Sequence, residues 1–85
     1  MLKYKLYFKP SAEKELNNLP KHIAESAILK IGTLSDNPRP RISKKLKGEE
    51  SYRLRIGDYR IIYIIDDRNK AITVFKIRHR KNAYR

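Results

Sequence analysis

The chain has 85 residues, enough for one domain, since either half alone would fall below a workable core. Its 40% hydrophobic residues suffice for a core despite 35% charged ones, and the absence of cysteine excludes disulfides and thiolate metal sites. The balance of 21 Lys+Arg against 9 Asp+Glu gives a formal +12, a self-repelling field that points to an anionic partner: nucleic acid, an anionic membrane surface or an acidic protein segment.

The opening MLKYKLYF interleaves charged and apolar residues, so it reads as neither a secretory leader nor a membrane span, and the chain reads as cytosolic. Leu2, Tyr4, Leu6 and Phe8 alternate with Lys3, Lys5, Tyr7 and Lys9, the period of a half-buried strand. Pro10 ends that strand, and Ser11 is the expected N-cap of a short helix running to about Leu19, with Glu13 and Glu15 in its first turn. Pro20 opens a second helix at its first position. Ile23, Ala27, Ile28, Ile31 and Leu34 form its apolar stripe, and Asp36-Asn37-Pro38 closes it.

Residues 39–51, RPRISKKLKGEES, read as a basic loop whose Lys44, Lys45 and Lys47 are candidate nucleic-acid contacts. Tyr52–Ile56 and Tyr59–Asp66 then form a hairpin across Gly57-Asp58, a turn of the Gly-first II′ class. Asp67–Lys70 is a further turn, and Ala71–Ile77 the last strand. The predicted fold is a single α+β domain over residues 1–85, in the order β-α-α-β-β-β: an N-terminal strand, a two-helix hairpin, then three antiparallel strands, with the helices on one face of a small sheet.

Arg53 and Arg55, two apart on a strand, share one face, while Tyr52, Leu54 and Ile56 share the other, expected to be the core. Arg60 follows the tight turn, and Arg78 and Arg80 follow Ile77. With neighbouring strands about 4.8 Å apart, Arg53, Arg55, Arg60 and Arg78 converge on one surface if the last strand pairs beside 59–66. A solvated sheet face needs mixed charges rather than one sign, which weighs against mere solubility. Metal chemistry has no support, because His22 and His79 have no carboxylate at ligand spacing. Neither a nucleophilic triad nor a Gly-rich phosphate loop is present. What remains is Arg, Lys, a histidine and tyrosines, a set that grips phosphodiesters and stacks on bases.

The stretches LKGEESYRLRIGDYRIIYIIDD and ITVFKIRHRKNAYR resemble the RelE/ParE superfamily of toxins from type II toxin–antitoxin modules, in its RelE branch. The likeness in order and spacing covers the whole chain and is most specific in YRLRIGDYRIIY and RHRKNAYR. It implies a ribosome-dependent mRNA endoribonuclease, held inactive by a cognate antitoxin. By that resemblance, Arg53 and Arg55 contact the region of the scissile phosphate and Arg60 binds that phosphate. Arg78 lies near the leaving oxygen, and Tyr84 near the cleavage site, stacked on a base. The first pair is Arg here where the family has Lys, and no helix is expected after Tyr84. His79, Arg80 and Lys81 join the lysines as expected RNA contacts.

In such a reaction the RNA 2′-OH attacks its own phosphate, and no cofactor is needed. Arginine stabilises the charge but, with a pKa above about 12, makes a poor general base. Tyr84, with a reference pKa near 10, is the preferred proton acceptor and His79, near 6.5, the second. An acidic antitoxin segment is the expected protein partner, with the ribosome and mRNA as targets and no membrane. Two other readings share the architecture: a ParE-like poison of DNA gyrase, and a non-catalytic RNA- or DNA-binding module.

Overall fold

The computed structural model describes residues 3–46 and 51–79. Seven elements follow one another: β1 Lys5–Phe8, α1 Pro10–Asn17, α2 Lys21–Thr33, β2 Ser43–Lys45, β3 Ser51–Ile56, β4 Tyr59–Asp66 and β5 Ala71–His79. The five strands make one sheet in the order β1-β5-β4-β3-β2, in which β1 runs parallel to β5 and every other pair is antiparallel. The α+β architecture expected from the sequence is the one observed. No helix of the described residues is long and apolar enough to cross a membrane.

Four local expectations are corrected. Pro10 starts α1 instead of preceding its cap; Lys9 is the N-cap, and the missing N–H of Pro10 falls where helix donors lack partners anyway. Pro20 is the N-cap of α2 rather than its first residue. Ala27, Ile31 and Leu34 form the buried stripe of α2, whereas Ile28, one residue off it, is 56% exposed. The segment read as a loop contains β2, paired through Ser43↔Leu54, Lys44↔Arg53 and Lys45↔Tyr52. Three polar residues carry no apolar alternation, and lysines suit an edge strand because they discourage pairing with other chains.

One face of the sheet carries the core. Leu54, Ile56, Ile61, Tyr63, Ile65, Ile72, Val74 and Ile77 are buried together with Ala12, Ala27, Ile31 and Leu34 from the helical side. Strand alternation sends the remaining side chains to the opposite face, which the helices leave open.

Within the core, Tyr52 and Tyr63 stack with ring centroids 5.8 Å apart. The Arg39 guanidinium donates to the Tyr52 hydroxyl at 2.8 Å and to both carboxylate oxygens of Asp67, at 3.2 and 2.7 Å. The Tyr4 hydroxyl adds a 2.6 Å bond to Asp67. The Arg39 bonds, then that of Tyr4, hold the Asp67 carboxyl at about 2, well below its ordinary value. A carboxyl depressed on folding contributes stability that is complete above its unfolded pKa, near 4, and is lost as pH falls through about 2. Denaturant unfolding should therefore show stability declining across that acid window. Asp67→Asn should shallow the decline without abolishing it, since Asp66, lowered by its bonds to Asn69, titrates there too. An unchanged acid slope in the variant would refute the linkage.

Candidate nucleic-acid interface

The two-residue turn fixes the geometry of the site. Gly57, at φ 56°, takes a left-handed conformation that suits glycine, and it closes the hairpin so that Ile56 faces Tyr59 and Arg55 faces Arg60. On the other side of β4, Arg60 faces Arg78. Directly opposed residues share a sheet face, so Arg55, Arg60 and Arg78 form one row across β3, β4 and β5 on the open face. A second row lies alongside it: Lys44, Arg53, Ile62 and Lys76, in register across β2 to β5.

Arg78 reaches that face through an irregularity in β5. Ile62 pairs with Lys76 but Tyr63 with Val74, leaving Phe75 as an extra residue. Strict alternation from Ile72 and Val74 would send Arg78 to the helix side. The bulge resets the alternation, so Ile77 is buried and Arg78 faces out. Phe75 lies beside the Lys9 ammonium, 4.1 Å from its ring centroid.

Ile42, Lys44, Arg53, Arg55 and Arg60 line a pocket of about 110 Å³ on this face. That volume holds several waters or a phosphate group. Four of the five lining residues are cations and none is acidic, so the pocket's chemistry is anion binding and charge stabilisation. The Arg55 Nε–H donates to the Gly57 carbonyl oxygen at 3.1 Å, bracing the guanidinium against its own turn. Arg78 is not a lining residue. Its guanidinium forms an ion pair with Glu15 of α1, whose other carboxylate oxygen accepts the Ile77 N–H at 2.9 Å.

Of the residues singled out in the sequence, Arg53, Arg55, Arg60, Arg78 and Lys44 are brought together on the open face. Two are not. Lys45 opposes Tyr52 and so belongs to the helix-side alternation. His79 opposes Tyr59, which continues the alternation of buried Ile56. Its ring meets that of Tyr59 edge-on at 5.2 Å and 86°, across the sheet from the arginine rows. The bulge that delivers Arg78 is what turns His79 away. Lys47, Arg80, Lys81 and Tyr84 lie outside the described residues. Ile42, Lys76 and Glu15 were missed; Ile42 and Lys76 needed the register of β2 and the bulge in β5, and Glu15 lies 62 positions from Ile77 with no local signal.

Residues 6–84 match the family model of the ParE toxin of type II toxin–antitoxin systems. The toxin RelG of Mycobacterium tuberculosis is 32% identical over 85 residues, covering 96% of this chain and 97% of RelG. The putative toxin RelE1 of Methanocaldococcus jannaschii is 37% identical over 76 residues, covering 85% of this chain and 84% of that protein. Among solved structures, a chain of the archaeal RelE–RelB complex of Pyrococcus horikoshii superposes with a TM-score of 0.80 at 30% identity. That match spans 94% of this chain and 98% of the other.

Proposed function

The chain belongs to the RelE/ParE superfamily of type II toxin–antitoxin toxins, and from that premise we propose that it is a ribosome-dependent endoribonuclease that cuts mRNA in the decoding site. The observation that carries this reading is the in-register row of Arg55, Arg60 and Arg78 beside a cationic pocket. Such an array suits a phosphodiester gaining charge, because guanidinium forks grip two oxygens and stay charged at any physiological pH.

In the proposed reaction the mRNA 2′-oxygen forms a bond to the adjacent phosphorus. The bond from phosphorus to the 5′-oxygen breaks, leaving a 2′,3′-cyclic phosphate and a free 5′-hydroxyl. Arg53, Arg55 and Arg60 hold the phosphate and offset the charge of the pentacovalent stage, and Arg78 stands by the leaving oxygen. The 2′-OH proton goes to Tyr84 in its phenolate form, which the surrounding cations favour, since His79 lies on the opposite face of the sheet. The Tyr84 phenol so formed returns a proton to the 5′-oxygen, which leaves as the free hydroxyl and restores the phenolate.

The site is cytoplasmic in this reading, where mRNA is translated, and an acidic antitoxin segment neutralises it. The charge of +12 and the solved association of the similar P. horikoshii RelE with RelB favour that partner. The ParE description of the matching family keeps a second target class in play, DNA gyrase. Incubation with translating ribosomes and mapping of mRNA 5′ ends decides: codon-phased cuts support the ribonuclease, topoisomerase-linked DNA breaks support the gyrase reading, and neither leaves a binding module.

Replacing Tyr84 separates its two roles. If stacking on a splayed base dominates, Tyr84→Ala should cost about 1–3 kcal/mol and Tyr84→Phe clearly less, since Phe keeps the ring face. Equal losses in single-turnover cleavage would assign the whole effect to the hydroxyl.

A further inference from the structure

Arginines placed directly opposite one another on a sheet repel, and the row Arg55–Arg60–Arg78 sets three side by side. The row is tolerated at its β5 end by a carboxylate from another element. β1 pairs with β5 only as far as Val74, so beyond that point β5 has a free edge. There α1 packs against the strand, and Glu15 divides its two oxygens: one accepts the Ile77 N–H and the other pairs with Arg78. The Arg78 side chain is 38% exposed and that of Glu15 23%, so the pair is shielded on the protein side while the guanidinium keeps a solvent side.

We propose that Glu15 is a positioning residue for Arg78. It anchors the guanidinium at the β5 edge against repulsion from Arg60, with nitrogens left to meet a phosphate oxygen. Its bond to the Ile77 N–H fixes the carboxylate itself, so helix, strand edge and arginine form one rigid unit. The proposal rests on the ribonuclease reading for its effect on rate, but not for the contact itself.

Glu15→Gln tests it, because the amide oxygen still accepts the Ile77 N–H while the charge is lost. In single-turnover cleavage on ribosomes, the rate at saturating toxin should fall about tenfold. The half-saturating concentration should stay level or drop, because the variant carries one more net positive charge. A merely structural role would not split the two parameters in this way. In an Arg78→Ala background, Glu15→Gln should cost nothing further. By 15N NMR, the Arg78 Nε–Hε group should become more mobile in Glu15→Gln, and denaturant unfolding should show the fold retained.

An unchanged or faster rate in the Gln variant, or an equal loss with and without Arg78, would overturn the proposal. If the unsubstituted protein makes no codon-phased cuts, the ribonuclease reading fails instead. The NMR comparison still decides whether Glu15 holds Arg78, and unchanged mobility refutes it.

Discussion

Arg60→Ala should lower single-turnover mRNA cleavage on the ribosome by about 10²–10³-fold, or roughly 3–4 kcal/mol, the cost of losing one pre-organised charge donor at a transition state. Arg60 is the residue to remove because it occupies the middle of the row, opposed by Arg55 on one side and Arg78 on the other, and also lines the pocket. A phosphate held between β3 and β5 must pass over β4. Stability should move by no more than about 1 kcal/mol: the packed stem of a half-buried arginine is lost, but so is its repulsion with two opposed arginines. Arg60→Lys should recover only part of the rate, since it restores the charge without the two-pronged fork. Cleavage by Arg60→Ala within a few-fold of normal, in a folded protein, would remove Arg60 and the row it centres from the mechanism, whatever group then carries the cleavage.

The residues that build this row differ in how visible they are in the sequence. Arg53 and Arg55 announce their face by alternation with Tyr52, Leu54 and Ile56, and the Gly57-Asp58 turn fixes the register that puts Arg60 opposite Arg55. Local periodicity and turn chemistry suffice for these. Arg78 belongs to the same row only because of the bulge at Phe75, and no turn residue or glycine marks that site. The same hidden irregularity sends His79 to the far face, although in sequence it is as close to the row as Arg78. β2 escapes notice because an edge strand of three polar residues has no hydrophobic period, yet it contributes Lys44 to the pocket. Glu15 reads as an ordinary first-turn carboxylate. Its actual partners on β5 are set by how α1 packs, which composition does not encode.

Tyr63→Ala should destabilise the fold by about 3–5 kcal/mol, the range for truncating a large buried aromatic. For a domain this small that is a large share of a total of roughly 5–15 kcal/mol. The ring is wholly buried in the middle of β4, and burial pushes its phenol above the ordinary pKa. The hydroxyl donates to the Pro38 carbonyl oxygen at 2.8 Å, and the neighbouring Arg39 is held by Tyr52 and Asp67. Pro38 and Arg39 begin the segment that leads to Ile42 and Lys44, so the core tyrosines tether the wall of the arginine pocket. Tyr63→Phe isolates that tether. It keeps the ring and the stack on Tyr52, loses one buried hydrogen bond and leaves the Pro38 oxygen without that donor, at a cost of about 1–3 kcal/mol. Denaturant unfolding should rank the variants Ala well below Phe and Phe below the unsubstituted protein. In Tyr63→Phe, hydrogen exchange should quicken first at the Ser43 and Leu46 amides, which bond to Pro40 and Ser51. Exchange that quickens uniformly across the sheet would show that Tyr63 supports the core alone and has no separate hold on the pocket.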